Sequence, residues 1–179
     1  MILRLKKSVA FVGMMGAGKT AVGRAVAEKL NAPFLDSDHE IEQAANMSVA
    51  EIFARDGEAF FRDREAQVIR RLFENEICIL STGGGAFMSQ EVREIMTHSG
   101  MSLWIKADLD LLWSRVKSKD ARPLLQTADP YGALNSIFEA RKDTYALADL
   151  IVEAKKELSI GEMADRVIAT MRKREDVLE

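Results

Sequence analysis

Cysteine is almost missing from this chain: Cys78, inside the apolar run ICIL, is the only one in 179 residues. No internal disulfide can form, a reducing compartment is expected, and Cys78 reads as a buried structural thiol. Neither sign of charge dominates, with 25 Lys and Arg against 28 Asp and Glu and a net charge of −3. Composition therefore implies neither a nucleic-acid footprint nor attraction to an anionic membrane. No apolar run approaches the length of a membrane span, and the opening MILRLKKSVAFVG leads into a glycine loop instead of a cleavage site. A cytoplasmic protein is expected. Repeats, low-complexity tracts and linkers are also lacking, so residues 1–179 read as one domain, with 47% hydrophobic residues to fill its core. His39 and His98 have no Cys or His partner at metal-ligand spacing and read as surface residues. Trp104 and Trp113 sit at core positions of a strand and a helix and read as packing.

What is present alternates between strand and helix patterns. Strands are expected at 8–12, 32–38, 77–81, 101–105 and 149–154. Helices are expected at 21–30, where Val22, Val26 and Leu30 form one stripe, and at 58–73, 90–97, 107–116, 133–147 and 160–172. Ser48 and Glu51 stand at capping-box spacing before a shorter helical segment that Gly57 should end. Such alternation implies right-handed crossovers and an α/β fold whose largely parallel sheet is covered on both faces. Ligands then bind at the carboxyl ends of the strands. Residues 117–131 hold two of the three prolines and have no clear periodicity; a loop of that length is often a lid.

Gly13, Gly18, Lys19 and Thr20 match G-x-x-x-x-G-K-[ST] between a strand and a helix. Glycines allow a tight wrap in which successive N–H groups face phosphate oxygens, and the helix adds its positive end. Residues 16–21, namely Gly16, Ala17, Gly18, Lys19, Thr20 and Ala21, form the cradle. Lys19 can reach the β- and γ-phosphates and Thr20 can ligate Mg²⁺. The loop is built for a nucleoside triphosphate.

A cradle alone does not separate a switch, a motor and a small-molecule kinase. Asp36 and Asp38, in DSD, alternate at the end of the second strand, where one carboxylate could face a metal and the other an acceptor hydroxyl. Alternatively, one of them caps the helix that DSDHEIEQA could start. Arg62 and Glu65 share a helix face, either as a solvated pair or as an oriented fork for an anion. Gly83, Gly84 and Gly85 follow the third strand; six of the eleven glycines lie in this loop and the phosphate loop. Three glycines in a row cost backbone entropy, and close approach of a ligand would explain them. Ser81 stands where many P-loop proteins carry a metal-binding acid, which suggests a water-mediated role.

Taken in order, GMMGAGKT, DSD, GEAFFRDRE, STGGG, ARPLL and ARKDTYALADLIVE resemble shikimate kinase over nearly the whole chain. The resemblance implies a P-loop nucleoside monophosphate kinase-like three-layer sandwich with a five-stranded parallel sheet and a mobile lid. It also implies transfer of the ATP γ-phosphate to the 3-hydroxyl of shikimate, with Mg²⁺, in aromatic amino-acid biosynthesis. By motif, Asp38 would bind substrate hydroxyls and act as base, and Asp36 would hold Mg²⁺ through water beside Thr20. Arg62, Arg141 and the backbone of Gly84 and Gly85 would clamp shikimate, with Glu65 supporting Arg62. Arg122 would close with the lid and neutralise charge on the moving phosphoryl group. Arg115 would pack on adenine opposite a wall around Leu158. ATP and shikimate are the implied partners of a monomer that engages neither nucleic acid nor membrane. One departure is Asp143 and Thr144 before Tyr145, where the family often has proline and an aliphatic residue.

Two other readings compete. A gluconate or nucleotide kinase would share the cradle but would not account for DSD, FRDRE and TGGG together. A nucleotide-dependent switch would need no two separated arginines, and a GTPase would carry an N-K-x-D string that is missing here.

Overall fold

The computed structural model describes residues 3–118 and 123–179. Five strands form one sheet: β1 (Ser8–Val12), β2 (Phe34–Asp36), β3 (Ile79–Ser81), β4 (Gly100–Lys106) and β5 (Leu150–Glu153), in the order β2-β3-β1-β4-β5. Every neighbouring pair is parallel. All of β1 is buried, as a strand covered on both faces must be, which is why its residues from Val9 to Val12 are an unbroken apolar run. Register sets Asp36 beside Ser81 and Ser81 beside Phe11, so an acid and a hydroxyl meet next to the strand that feeds the phosphate loop.

Helices α1 (Lys19–Lys29), α2 (Ser37–Ala45), α3 (Val49–Asn75), α4 (Gln90–Ser99), α5 (Leu109–Val116), α6 (Pro130–Tyr145) and α7 (Ile160–Met171) connect and flank the strands. Their starts follow local chemistry. Ser48 and Ser159 each form a complete capping box, while Ser89, Asp108 and Asp129 accept from backbone N–H groups. Helix α3 leaves helical geometry at Gly57 (φ 84°, ψ 174°), a conformation that side chains resist. The break separates the two segments that the sequence divides there. Core side chains such as Phe11, Ile69, Met96 and Leu112 are fully buried.

Several boundaries differ from expectation by a few residues, and two of the differences bear on the site. The second strand stops at Asp36 because the Asp36 carboxylate accepts from His39 N–H at 3.2 Å and starts α2. Asp38 therefore lies on the first turn of a helix and not at a strand end. Helix α6 begins at Pro130, with Asp129 as its cap, so residues 130 and 131 of the expected lid are already helical. Earlier in that segment Pro123–Leu125 form a 3₁₀ turn. No described helix is long and apolar enough to cross a membrane.

Candidate active site

The chain leaves β1 and wraps through the phosphate loop into α1. Gly16 has φ +82°, and a Cβ there would lie 2.7 Å from a Val116 methyl, so both conformation and space require glycine. Gly18 is the residue before the first turn of α1, whose leading N–H groups have no partner within the helix. Lys19 Nζ donates to the carbonyls of Gly13 (2.7 Å) and Met14 (3.0 Å). From α5, Arg115 Nη1 donates to the carbonyls of Gly16 (3.0 Å) and Ala17 (3.1 Å), tying down the outside of the wrap. The Thr20 hydroxyl is 3.1 Å from that of Ser81.

A cleft of about 710 Å³ opens over this loop. Residues 15–22, Asp36, Asp38 and residues 81–84 line it, and Arg115, Ala154, Leu158, Ile160 and Met163 form its far wall. The whole cradle, Gly16 to Ala21, is thus in one hollow with both acids of DSD and with Leu158. A second cavity of about 410 Å³ between α2 and α3 contains none of the residues singled out from the sequence.

The glycine run gathers the remaining groups. A Cβ on Gly83 would sit 3.1 Å from the Asp38 carboxylate, one on Gly84 3.0 Å from Arg141 Nη1, and one on Gly85 would collide with the Arg62 guanidinium. Three elements, α2, α6 and α3, thereby bring an acid and two guanidinium groups against one short piece of backbone beside Lys19. Arg62 Nη1 donates to Glu65 Oε1 at 2.8 Å, and the Glu65 side chain is 1% exposed; the exposed Glu58 lies 3.6 Å from Arg62 Nε. The pair is therefore anchored on a buried carboxylate, with Arg62 partly exposed, and is not a fully solvated helix salt bridge.

Burial, followed by repulsion from Asp36, raises the Asp38 pKa, against the lowering pull of Lys19 and Arg62. Burial pushes Glu65 up to about 7 even with Arg62 beside it. Arg62 acts on both Asp38 and Glu65, and Asp38 acts in turn on Glu65, which is the electrostatic mark of a shared site. Asp36 has two positions at once, as the cap of α2 and as part of the cleft wall.

Asp143 is exposed, and α6 runs through Thr144 to Tyr145 without a break, so the departure near Arg141 does not disturb the helix that carries it. Arg122 lies outside the described residues. Tyr145 is a group the sequence reading passes over. Its hydroxyl donates to the Gly84 carbonyl, 61 residues away, a contact that no local pattern signals. Cys78 is buried, with its thiol pushed up to about 11 by burial. His39 and His98 are exposed.

The shikimate kinase family profile matches residues 15–172. A shikimate kinase of Ruegeria pomeroyi is 61% identical over 175 residues, covering 98% of this chain and 90% of that one. Another, from Cereibacter sphaeroides, is 57% identical over 98% of this chain and 88% of its own length. The solved structure of the Acinetobacter baumannii shikimate kinase in complex with shikimate superposes with a TM-score of 0.87 at 33% identity, covering 94% of each chain. By family profile, sequence identity and backbone geometry together, this chain belongs to the shikimate kinase family.

Proposed function

We propose that this chain transfers the γ-phosphate of ATP to the 3-hydroxyl of shikimate, giving shikimate 3-phosphate and ADP in aromatic amino-acid biosynthesis. One observation supports the reading above all: Asp38, Arg141 and Arg62 pack in turn against Gly83, Gly84 and Gly85 beside the phosphate loop. A carboxylated ring that carries hydroxyls suits this arrangement. The two guanidinium groups take the carboxylate through charge-assisted bonds, Asp38 takes hydroxyls, and the backbone of Gly84 and Gly85 borders the ring closely. The residues from Gly16 to Ala21 hold the triphosphate, with Arg115 and Leu158 flanking the base.

Phosphoryl transfer asks mainly for alignment and for neutralised charge. The acceptor oxygen attacks the γ-phosphorus as the bond to the β–γ bridging oxygen breaks, and Asp38 receives the hydroxyl proton. A carboxylate with a raised pKa is a better base for that task. Lys19 exchanges its bonds to the Gly13 and Met14 carbonyls for bonds to phosphate oxygens.

The oxygen donors fit Mg²⁺. Among the described residues no group of three or more acidic, His or Cys side chains forms a metal cage, and Mg²⁺ bound with phosphates keeps several waters and needs only one or two protein ligands. Thr20 would bind it directly and Asp36 through water. When bound, the ion neutralises charge on the β- and γ-phosphates. The proposal extends to the whole chain acting as one catalytic domain and a cytoplasmic monomer.

ADP release through a coupled assay, with shikimate, quinate and gluconate offered separately, tests the reading. Shikimate alone should drive rapid release. Faster turnover with gluconate, or slow ADP release that shikimate leaves unchanged, would end it.

A further inference from the structure

Tyr145 is the last residue of α6 and is 0% exposed. A phenol in that position needs a partner for its oxygen. The hydroxyl donates to the Gly84 carbonyl, and it shares its place with Arg141, four residues earlier on the same helix face: a Cβ on Gly84 would lie 3.0 Å from Arg141 Nη1 and 3.7 Å from the Tyr145 oxygen, and the guanidinium holds the phenol's pKa down. The ring stacks on Trp104 of β4, centroids 5.8 Å apart. Trp104 Cδ1 in turn lies 3.2 Å from where a Cβ on Gly13 would be. One side chain thus bonds to the glycine run beside the arginine on α6, and through Trp104 it reaches the start of the phosphate loop.

The Gly84–Gly85 peptide has a glycine on each side, so its plane has little preference of its own. A bond from outside must set it. Because a trans peptide is planar, with C=O and N–H opposed, holding the Gly84 carbonyl on Tyr145 aims the Gly85 N–H the opposite way. Arg141 has the same need: a long side chain left free must be ordered when a ligand arrives, which weakens binding.

We infer that Tyr145 is a positioning residue for the phosphate acceptor: its hydroxyl locks the Arg141 guanidinium and the Gly84–Gly85 peptide to each other, so that shikimate meets both already oriented. The inference rests on the function proposed above. Tyr145 itself does not touch the acceptor. It acts through two groups that do, and the Trp104 stack fixes where its oxygen lies.

Tyr145→Phe keeps the ring and the stack and removes only the oxygen. Steady-state kinetics should show the shikimate KM raised about tenfold, the scale of losing a bond to a charged group, with the ATP KM and kcat changed by about twofold or less. In an Arg141→Ala background the same substitution should add much less than that tenfold, because groups that act together are not additive. An unchanged shikimate KM, full additivity, or equal rises in both KM values would overturn the inference.

A second measurement does not depend on how the phenylalanine variant folds. The chain has two tyrosines, so in a Tyr131→Phe background the absorbance of phenolate reports Tyr145 alone. Burial raises its pKa, while Arg141 and, to a smaller degree, Arg62 hold it down. Arg141→Ala should therefore move the midpoint upward, and an unmoved midpoint would overturn the contact. If the parent protein released no ADP with shikimate, the functional reading would fail, and the phenol titration would still judge the contact.

Discussion

Replacing Glu65 with glutamine turns the buried Arg62–Glu65 pair into a measurement. One Glu65 oxygen accepts from Arg62 at 2.8 Å, while the other is buried without a hydrogen-bond partner among the described residues. Burial outweighs the arginine and raises the pKa from 4.5 to about 7. Between those values the folded protein holds a proton that the unfolded chain has released, so folding weakens as pH rises. The stability in question is fully present below the unfolded value and is lost as pH passes through the folded one. Its size, from the separation of the two values, is about 3 kcal/mol. Glutamine keeps the shape and an oxygen for Arg62, but it does not titrate. Urea unfolding of both proteins from pH 5 to about 8.5, read as the difference between them so that most other titrations cancel, should show the wild type losing about 3 kcal/mol against Glu65→Gln. A difference that stays flat would refute the reasoning. The substrate supplies a second arm of the test. A carboxylate on Arg62 raises the Glu65 pKa further, so by linkage shikimate binding weakens as pH rises above about 7, and Glu65→Gln should remove that slope.

Asp38→Asn should abolish most turnover while ATP affinity, measured by calorimetry, stays near that of the parent; a matching loss of ATP binding would contradict the assigned role. Arg141→Ala removes one charge-assisted fork, so the shikimate KM should rise by roughly ten- to a hundredfold with the ATP KM little changed, and an unchanged shikimate KM would count against the clamp. Gly85→Ala places a methyl against the far end of the Arg62 side chain. The fold should persist by circular dichroism while Arg62 is displaced and the shikimate KM rises about tenfold. Ser48→Ala breaks the capping box of α3, in which the side chains of Ser48 and Glu51 each accept from the other's backbone N–H; about 1 kcal/mol of stability should go with kcat/KM unaltered, since neither residue lines the cleft.

Features set by neighbours in sequence were legible beforehand. The phosphate loop, the break at Gly57, the capping box of Ser48 and Glu51 and the Arg62–Glu65 spacing each depend on a few consecutive residues, and each has its place in the structure. DSD was harder, because alternation in a strand and capping of a helix call for the same residue types. One hydrogen bond, from His39 N–H to Asp36, decides for the helix and moves Asp38 onto it. The strand order β2-β3-β1-β4-β5 and the anchoring of the phosphate loop by Arg115, 98 and 99 residues away, depend on crossovers that no local pattern encodes. Tyr145 was hidden for the same reason, since its value comes from a carbonyl on another loop.

Several local costs meet in and beside this cleft: three consecutive glycines, a buried acid with one oxygen that has no hydrogen-bond partner among the described residues, and an ammonium bound to its own loop. Sequences tend to break local rules where function requires it, and each of these exceptions has a use here. Glycines let backbone come within contact distance of Asp38, Arg141 and Arg62, which side chains would prevent. Buried Glu65 holds Arg62 in a fixed direction before any carboxylate arrives. Lys19, bonded to two loop carbonyls, keeps the loop curled in the absence of phosphate, and neutral acceptors are readily given up for anionic ones. Order imposed in advance costs stability in the free protein and lowers the reorganisation needed during transfer. A substitution that relieves one of these costs, as Glu65→Gln does for the buried charge, should therefore stabilise the fold near neutral pH and slow the reaction.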